Sequence, residues 1–393
     1  MPIDVPAVQD ALREEGLDGW LLYDFHGSNP IARHLAGLAD GAKMTTRRWY
    51  YLVPAQGEPQ GLVHAMEPHT LDALPGLKRR YAAREQLQSA LSELLATVRR
   101  VAMEYSPGGA IPYLGRVDAG TIDSIRARGV EVVSSGDLVQ RFEACWDPAA
   151  IDSHRAASDR LYRIKDRTFA EIGARVARGT PTTEHDIQRL MLGWFAEEGL
   201  ISDAPPVVAV NRNAGDPHYM PPESGSAQVG RDDLVLIDLW GKLDRPGAVY
   251  ADITWMGYTG APVPAEPAAA FGAIARARDA AVDLVRTAAQ RGGDLRGWEV
   301  DRAARQVLQD AGYGAQIVHR TGHSLGESVH GNGVHLDDYE THDDRRLLPG
   351  SGFTIEPGLY FETFGVRTEI NMVFGSGDAA VTGPRQTQIL TLA

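Results

Sequence analysis

Two predicted β-hairpins, in which acidic residues interrupt otherwise apolar strands, constrain this sequence most strongly. Residues 234–240 form an apolar run that is broken only by Asp238, and a turn at Pro246 and Gly247 returns the chain to Asp252. We therefore expect Asp252 to lie across from Asp238 on the neighbouring strand. A carboxylate in such a run is costly to bury unless a cation or a solvent-facing side compensates for it.

The second hairpin repeats this pattern. Residues 353–361 and 366–374 both have the character of strands, and Glu356 and Glu369 are equally distant from the turn between them. Directly opposed residues in an antiparallel pair are ~5 Å apart, so two carboxylates there repel each other unless a metal ion lies between them. An exposed sheet face readily explains one acid alone. It does not readily explain two hairpins in which two acids lie opposite each other.

Histidines add a nitrogen ligand to these acids. Six of the twelve histidines fall between residues 218 and 342, and His323 lies between Gly322 and Gly326, which permit a tight backbone path. Neutral imidazole binds metals and transfers protons near neutral pH. For any single one of these histidines, an ordinary place in a loop without a chemical role stays equally open. The candidate cage for two divalent ions is Asp238, Asp252, His323, Glu356 and Glu369.

Length and composition set the frame for this site. A chain of 393 residues predicts about two domains. Helical and extended patterns alternate over the first 150 residues, which is typical of an α/β domain. We place the domain boundary near residue 155, within a predicted helix at 149–177 that is followed by a second one at 182–199.

Charge and cysteine content bear on partners and location. The net charge of −13 argues against nucleic acid or an anionic membrane as the main partner. Cys145 is the single cysteine, no apolar stretch approaches the ~20 residues that span a bilayer, and the N-terminal helix lacks the pattern of a signal peptide. These features predict a cytoplasmic protein without a membrane partner.

The local sequences around the five candidate ligands resemble the signature of the pita-bread metallopeptidases. This group includes Xaa-Pro dipeptidases (prolidases), Xaa-Pro aminopeptidases and methionyl aminopeptidases. The resemblance implies an α+β fold, with a smaller creatinase-like α/β domain at 1–155 and a pita-bread catalytic domain at 156–393. The motifs that carry it are Leu236-Ile237-Asp238-Leu239, Ala251-Asp252-Ile253-Thr254, Gly322-His323-Ser324-Leu325-Gly326, Ile355-Glu356-Pro357-Gly358 and Arg367-Thr368-Glu369.

The resemblance also implies a cofactor and a division of the ligands. Two divalent ions are expected, bridged by Asp252 and Glu369 or by similar carboxylates. Asp238 would complete one ion, and His323 with Glu356 the other. Manganese is the expected metal, with zinc, cobalt or iron as alternatives.

Further residues match positions that contact substrate in this group. His218 matches a histidine that contacts the substrate, and His330 matches one that stabilises the tetrahedral intermediate, with His335 as its rival. Glu356 is expected to transfer protons as well as to bind metal. The positions that line the proline pocket or assist proton transfer are His319, Tyr360 and Arg367, and the expected catalytic set is His218, His330, Glu356 and Arg367.

Two departures from the family pattern bear on specificity. The interval from Asp238 to Asp252 is about three residues longer than usual, and Trp255 replaces the arginine that often follows the Asp-Ile-Thr motif.

The implied activity is dinuclear metal-dependent hydrolysis of the Xaa-Pro bond in a proline-containing di- or oligopeptide, by a homodimer. An Xaa-Pro dipeptidase is the leading hypothesis. An Xaa-Pro aminopeptidase that acts on longer peptides is the near alternative, and a metal-free peptide-binding protein on the same fold is the alternative from another class.

Overall fold

The computed structural model describes residues 3–38 and 45–392. The chain divides into two compact units, Met1–Glu143 and Ala144–Ala393. This division falls earlier than the predicted boundary at residue 155, which lies inside a long helix that begins at Pro148. Within the described ranges, no helix combines the length and the apolar character needed to cross a membrane.

The first unit is a six-stranded mixed sheet with helices on both faces. The strand order is β4-β3-β2-β1-β5-β6, in which β2 runs antiparallel to its neighbours and the other pairs are parallel. Alternate residues of β1 enter two separate cores, because successive side chains of a strand point to opposite faces. The elements are α1 (Val5–Glu14), β1 (Gly19–Asp24), α2 (Pro30–Leu35), β2 (Trp49–Pro54), β3 (Gln60–His64), β4 (Leu77–Tyr81), α3 (Arg84–Leu94), β5 (Arg100–Met103), α4 (Ala119–Arg126), β6 (Glu131–Ser134) and α5 (Gly136–Val139).

The second unit contains two pairs of long helices and the two acidic hairpins. Its sheets are β16-β10-β9-β7 with β8 also paired to β9, β11-β14-β15, and β12-β13. The elements are α6 (Pro148–Arg178), α7 (Glu184–Glu197), β7 (Leu200–Ile201), β8 (Val207–Val210), β9 (Leu234–Leu243), β10 (Ala251–Tyr258), α8 (Ala265–Arg291), α9 (Gly297–Asp310), β11 (Gly352–Ile355), β12 (Gly358–Tyr360), β13 (Gly365–Arg367), β14 (Ile370–Phe374), β15 (Ala379–Thr382) and β16 (Leu390–Thr391).

The two faces of β9 and β10 serve different cores. Val235, Ile237 and Leu239 pack with residues of α6 and α7, whereas Leu234 and Leu236 pack with residues of α8 and α9. The even-numbered residues of both strands therefore share the inner face of this unit. Both faces are covered, which explains why β9 reads as an almost continuous apolar run.

The register of the first hairpin corrects one expectation. Asp238 pairs with Thr254, and Asp252 pairs with Trp240, so the two acids are diagonal neighbours and not directly opposed. The centre of the turn lies one residue later in the chain than the sequence suggested. A slip of two residues keeps each side chain on its face, so both carboxylates still point inward.

The second hairpin keeps its predicted register but is interrupted. Ile355 pairs with Ile370 in one ladder and Gly358 with Arg367 in the next, so Glu356 and Glu369 face each other in the gap between the ladders. Each predicted strand is thus split in two. Pro357 contributes to this break because it has no backbone N–H to donate.

Candidate metal centre

Backbone hydrogen bonds at the gap bring the acidic segments together. Freed from its own ladder, Glu369 N donates to Thr254 O at 3.1 Å, and Glu356 N donates to Thr321 O at 2.7 Å. On the same side, Thr354 N donates to His323 O at 2.9 Å. The interruption of the second hairpin therefore joins it to the first hairpin through Glu369 and to the histidine segment through Glu356.

The ligand atoms converge in the protein interior. One donor atom each from Asp252, His323 and Glu369 lies within 4.8 Å of the others, and all three residues are buried. His323 Nε2 is 3.4 Å from Glu356 Oε1 and 3.7 Å from Asp252 Oδ2. Asp238 joins them from the inner face of β9, diagonal to Asp252. All five predicted metal ligands thus face one site.

The charges of this cluster call for a cation. Burial, and then the neighbouring carboxylates, raise the pKa of Asp252 and Glu369 well above the usual range. Burial also raises the pKa of Asp238. Burial alone would do the same to Glu356, but the adjacent histidines and Arg367 outweigh it and lower that pKa. Carboxylates so close together cannot all be ionised without a compensating positive charge.

Two oxygen atoms test whether a metal fits this site. Asp238 Oδ1 and Asp252 Oδ1 are buried and accept no hydrogen bond from the described part of the chain. A buried carboxylate oxygen without a partner is rare in a folded protein. The donor set of four carboxylates and one imidazole is also the one that hard divalent cations prefer. The residues therefore fit a divalent metal.

Two threonines that the sequence reasoning missed orient the ligands. Thr254 Oγ1 donates to Glu369 Oε2 at 2.7 Å, and Thr354 Oγ1 donates to Glu356 Oε1 at 3.1 Å. Both hydroxyls are buried. Thr254 is two residues after the ligand Asp252 on β10, and Thr354, on β11, is two residues before the ligand Glu356. The two-residue period of a strand was the signal that could have identified them.

A polar chain leads from the ligands toward the predicted proline pocket. Arg367 is buried, with Nη2 donating to Asp238 Oδ2 at 2.6 Å and Nη1 donating to the Tyr360 hydroxyl at 2.9 Å. That hydroxyl is 2.7 Å from His319 Nε2. Burial raises the pKa of Tyr360 to about 12, so the phenol is neutral at pH 7. His319, Tyr360 and Arg367 are thus connected to one another and to Asp238.

The two rival histidines occupy different environments. The His330 ring packs against that of the ligand His323, with centroids 4.5 Å apart, and it reaches the surface. Partial desolvation, then the proximity of His323, lowers the pKa of His330 to about 4. His335 is fully buried, and its Nδ1 accepts from Ser324 N at 3.1 Å. Only His330 therefore combines contact with a ligand and access to solvent.

His218 is less closely connected to the five ligands than His330 is. It is exposed in the turn after β8, and its backbone N–H donates to Asp216 Oδ1 at 3.0 Å. Within the described residues, no hydrogen bond or ion pair joins its imidazole to the five ligands. Its expected contact with substrate remains a prediction.

Glu184, the first residue of α7, anchors the segment that carries His218. The Glu184 carboxylate is fully buried and accepts from Val210 N at 2.6 Å, from Asn213 Nδ2 at 3.0 Å and from the Tyr219 hydroxyl at 2.5 Å. One charge thereby fixes both ends of the segment between β8 and His218. Its partners lie more than 25 residues away in the chain, so no local pattern signals this role.

The replacement at Trp255 does not reach the ligands. Trp255 belongs to the face of β10 that packs on α6, opposite to the face of Asp252. Lys165 Nζ lies 4.0 Å from the centre of its ring, and Tyr162 meets it edge to face. A cation–π contact thus occupies this position.

The chain is similar to known proteins in family, in sequence and in structure. A family model described as metallopeptidase family M24 matches residues 154–375. The chain is 30% identical over 257 residues to a probable dipeptidase PepE of Mycobacterium bovis, which covers 65% of this chain and 62% of that protein. It is 32% identical over 164 residues to an Xaa-Pro dipeptidase of Lactobacillus delbrueckii subsp. lactis. That match covers 42% of this chain and 40% of the dipeptidase.

A solved structure resembles the chain over nearly its whole length. The crystal structure of dipeptidase PepE from Mycobacterium ulcerans superposes with a TM-score of 0.72 at 24% identity, and covers 99% of this chain and 96% of that one. The expected α+β pita-bread fold is confirmed. In sequence, the chain spans 62% of the length of the first curated relatives that it matches.

Proposed function

Because this chain belongs to metallopeptidase family M24, we propose that it is a metal-dependent Xaa-Pro dipeptidase. The observation that carries the proposal is the buried convergence of Asp252, His323 and Glu369, whose donor atoms lie within 4.8 Å of one another. We propose Asp238 and Glu356 as the two further ligands beside this cluster. The Xaa-Pro dipeptidase activity named for a relative gives the bond to be tested.

The metal centre would be held by Asp238, Asp252, His323, Glu356 and Glu369. Bound divalent ions supply hydroxide from water near neutral pH and polarise a carbonyl group. We propose manganese for this oxygen-rich site, with zinc, cobalt or iron as alternatives to be tested.

Side chains of the protein would transfer the proton and stabilise the developing negative charge. Thr354 holds Glu356 Oε1, which leaves Oε2 to accept a proton from water and to deliver it to the leaving proline nitrogen. His330, packed on His323, would donate a hydrogen bond to the oxygen that becomes negative. His218 would contact the substrate from the segment that Glu184 anchors.

The substrate preference follows from the chemistry of the Xaa-Pro bond. It is a tertiary amide without an N–H, so a peptidase that binds its substrate through this N–H cannot cleave it. His319 and Tyr360 would line a pocket for the ring. Arg367, whose guanidinium also binds Asp238 and the Tyr360 hydroxyl, would attract the terminal carboxylate through its positive charge.

An assay with two peptides tests the proposal against its near alternative. Leu-Pro and Leu-Pro-Pro-Gly are incubated with the manganese-loaded protein, and released leucine is measured. We expect cleavage of Leu-Pro. Cleavage of the longer peptide alone would favour an Xaa-Pro aminopeptidase. Metal-free protein that binds peptide without cutting it would favour the binding-protein alternative. The homodimer and the cytoplasmic location stay predictions.

A further inference from the structure

One edge of β10 has no strand beside it at the position of a metal ligand. β9 pairs with β10 along its whole length, whereas among the described strands β16 pairs with the opposite edge only at Gly257 and Tyr258. Asp252, near the start of β10, is buried. Its backbone N–H and C=O therefore need partners other than a strand, because such groups are costly to leave unpaired in the interior.

The side-chain amide of Asn371 supplies both partners. Asn371 Oδ1 accepts from Asp252 N at 2.9 Å, and Asn371 Nδ2 donates to Asp252 O. One carboxamide thus makes the two hydrogen bonds that a neighbouring strand would make. Asn371 is fully buried in β14, two residues after the ligand Glu369. The amide therefore joins the backbone of one ligand to the strand that follows another.

The connection between these two ligands is reciprocal. Thr254, two residues after Asp252, accepts from Glu369 N at its carbonyl oxygen, at 3.1 Å, and its hydroxyl donates to Glu369 Oε2 at 2.7 Å. Each ligand is thus held by the residue two positions after the other. Donor atoms of the two ligands lie within 4.8 Å of each other, and like charges at this distance repel. These contacts therefore keep the two acids together.

The same type of contact recurs on β10 away from the ligands. Gln386 Oε1 accepts from Met256 N at 2.9 Å, and Gln386 Nε2 donates to Met256 O at 2.6 Å. Gln386 is also buried. Met256 is four residues from Asp252 and belongs to an apolar core. Two equivalent contacts between an amide and the backbone thus lie on one strand, and only that of Asn371 holds a ligand.

We propose that Asn371 is a positioning residue for the metal centre, which fixes the Asp252 backbone at the distance from Glu369 that a shared ion requires. This inference rests on the metal centre of the proposed function. Asn371 acts through Asp252 and contacts neither metal nor substrate. Residues that orient metal ligands in this way typically contribute 10- to 100-fold to metal affinity.

The test compares Asn371→Leu with Gln386→Met, each of which removes an amide at nearly constant volume. Both variants leave one N–H and one C=O of β10 without a partner, so we expect similar decreases in the urea midpoint of the metal-free protein. Manganese affinity, measured by calorimetry, should fall about 10- to 100-fold in Asn371→Leu only. The visible absorption spectrum of the cobalt-loaded protein, which reports on the arrangement of the ligands, should also change in Asn371→Leu only.

A second pair of variants covers the case in which Asn371→Leu does not fold. Asn371→Ala and Gln386→Ala leave room for water at the exposed backbone groups, and the same difference in manganese affinity is expected between them. Equal losses of affinity in both members of a pair would show a merely structural role and would overturn the proposal. An unchanged affinity in the Asn371 variant would do the same.

The outcomes for Asn371 and for the proposed function can be told apart. If the wild type cleaves no Leu-Pro but manganese affinity falls in Asn371→Leu alone, only the proposed activity fails. If the wild type cleaves Leu-Pro and Asn371→Leu keeps its manganese affinity, only the role of Asn371 fails. A wild type that binds no divalent metal would overturn both.

Discussion

Asp252→Asn should affect stability in opposite directions with and without metal. Donor atoms of Asp252 and Glu369 lie within 4.8 Å of each other, so two charges there repel by about 3 kcal/mol at an effective dielectric constant of ~20. Protonation of one carboxylate limits this cost, as the raised pKa of both residues indicates. We therefore expect Asp252→Asn to raise the free energy of unfolding of the metal-free protein by about 1–3 kcal/mol.

The sign of the pH dependence follows from the same shifts. A carboxylate whose pKa is raised on folding destabilises the folded state above its unfolded pKa of ~3.9, and increasingly so as pH approaches the raised value. The benefit of Asp252→Asn in the metal-free protein should therefore grow from pH 5 to pH 8. With metal at 100 times its Kd, the wild type should gain about 2.7 kcal/mol. The variant should gain much less.

Urea denaturation of both proteins, with chelator or with manganese, measures these differences. Asp159→Asn, which alters an exposed carboxylate of α6, is the matched control and should change stability by less than about 0.5 kcal/mol in either condition. The reasoning is refuted if Asp252→Asn destabilises the metal-free protein. That result would mean that the carboxylate is a favourable structural acceptor and not a repelled charge.

Two further predictions concern residues outside the ligand set. Burial lowers the pKa of His154 to about 4, so between pH ~6.5 and ~4 the unfolded chain binds a proton that the folded protein excludes. Unfolding free energy should fall by about 3 kcal/mol as pH drops through this window, and His154→Gln should remove that part of the pH dependence of urea denaturation. Glu184→Gln should weaken the anchor of residues 211–226 and speed their backbone hydrogen exchange about tenfold, while exchange in α8 stays unchanged. Unchanged exchange in 211–226 would contradict the anchoring role.

The acidic strands could be predicted because a single carboxylate in an apolar strand is energetically conspicuous. The register of the first hairpin could not, since the long turn after Leu243 permits more than one pairing of Asp238. A slip of two residues preserves the face of each side chain, so the hydrophobic pattern does not distinguish the alternatives. The predicted sheet face of Asp238 and Asp252 was therefore correct, but their predicted pairing with each other was wrong.

Residues that act through partners far away in the chain could not be identified from the sequence. Glu184 is an ordinary acid in its local setting, and only the fold brings Tyr219 to it. Pro357 could have indicated that the strand is interrupted after Glu356, but the hydrogen bond that this break allows Glu369 to make with β10 could not be predicted. These features depend on contacts between segments more than 20 residues apart.

Titration of the metal-free protein with manganese, with Leu-Pro hydrolysis as the readout, tests the central claim most directly. We predict no hydrolysis without metal and a rate that rises until two equivalents per chain are bound. Asp252→Ala should stay inactive throughout the titration. Hydrolysis that persists in the metal-free protein, or no hydrolysis at any manganese concentration, would contradict the claim.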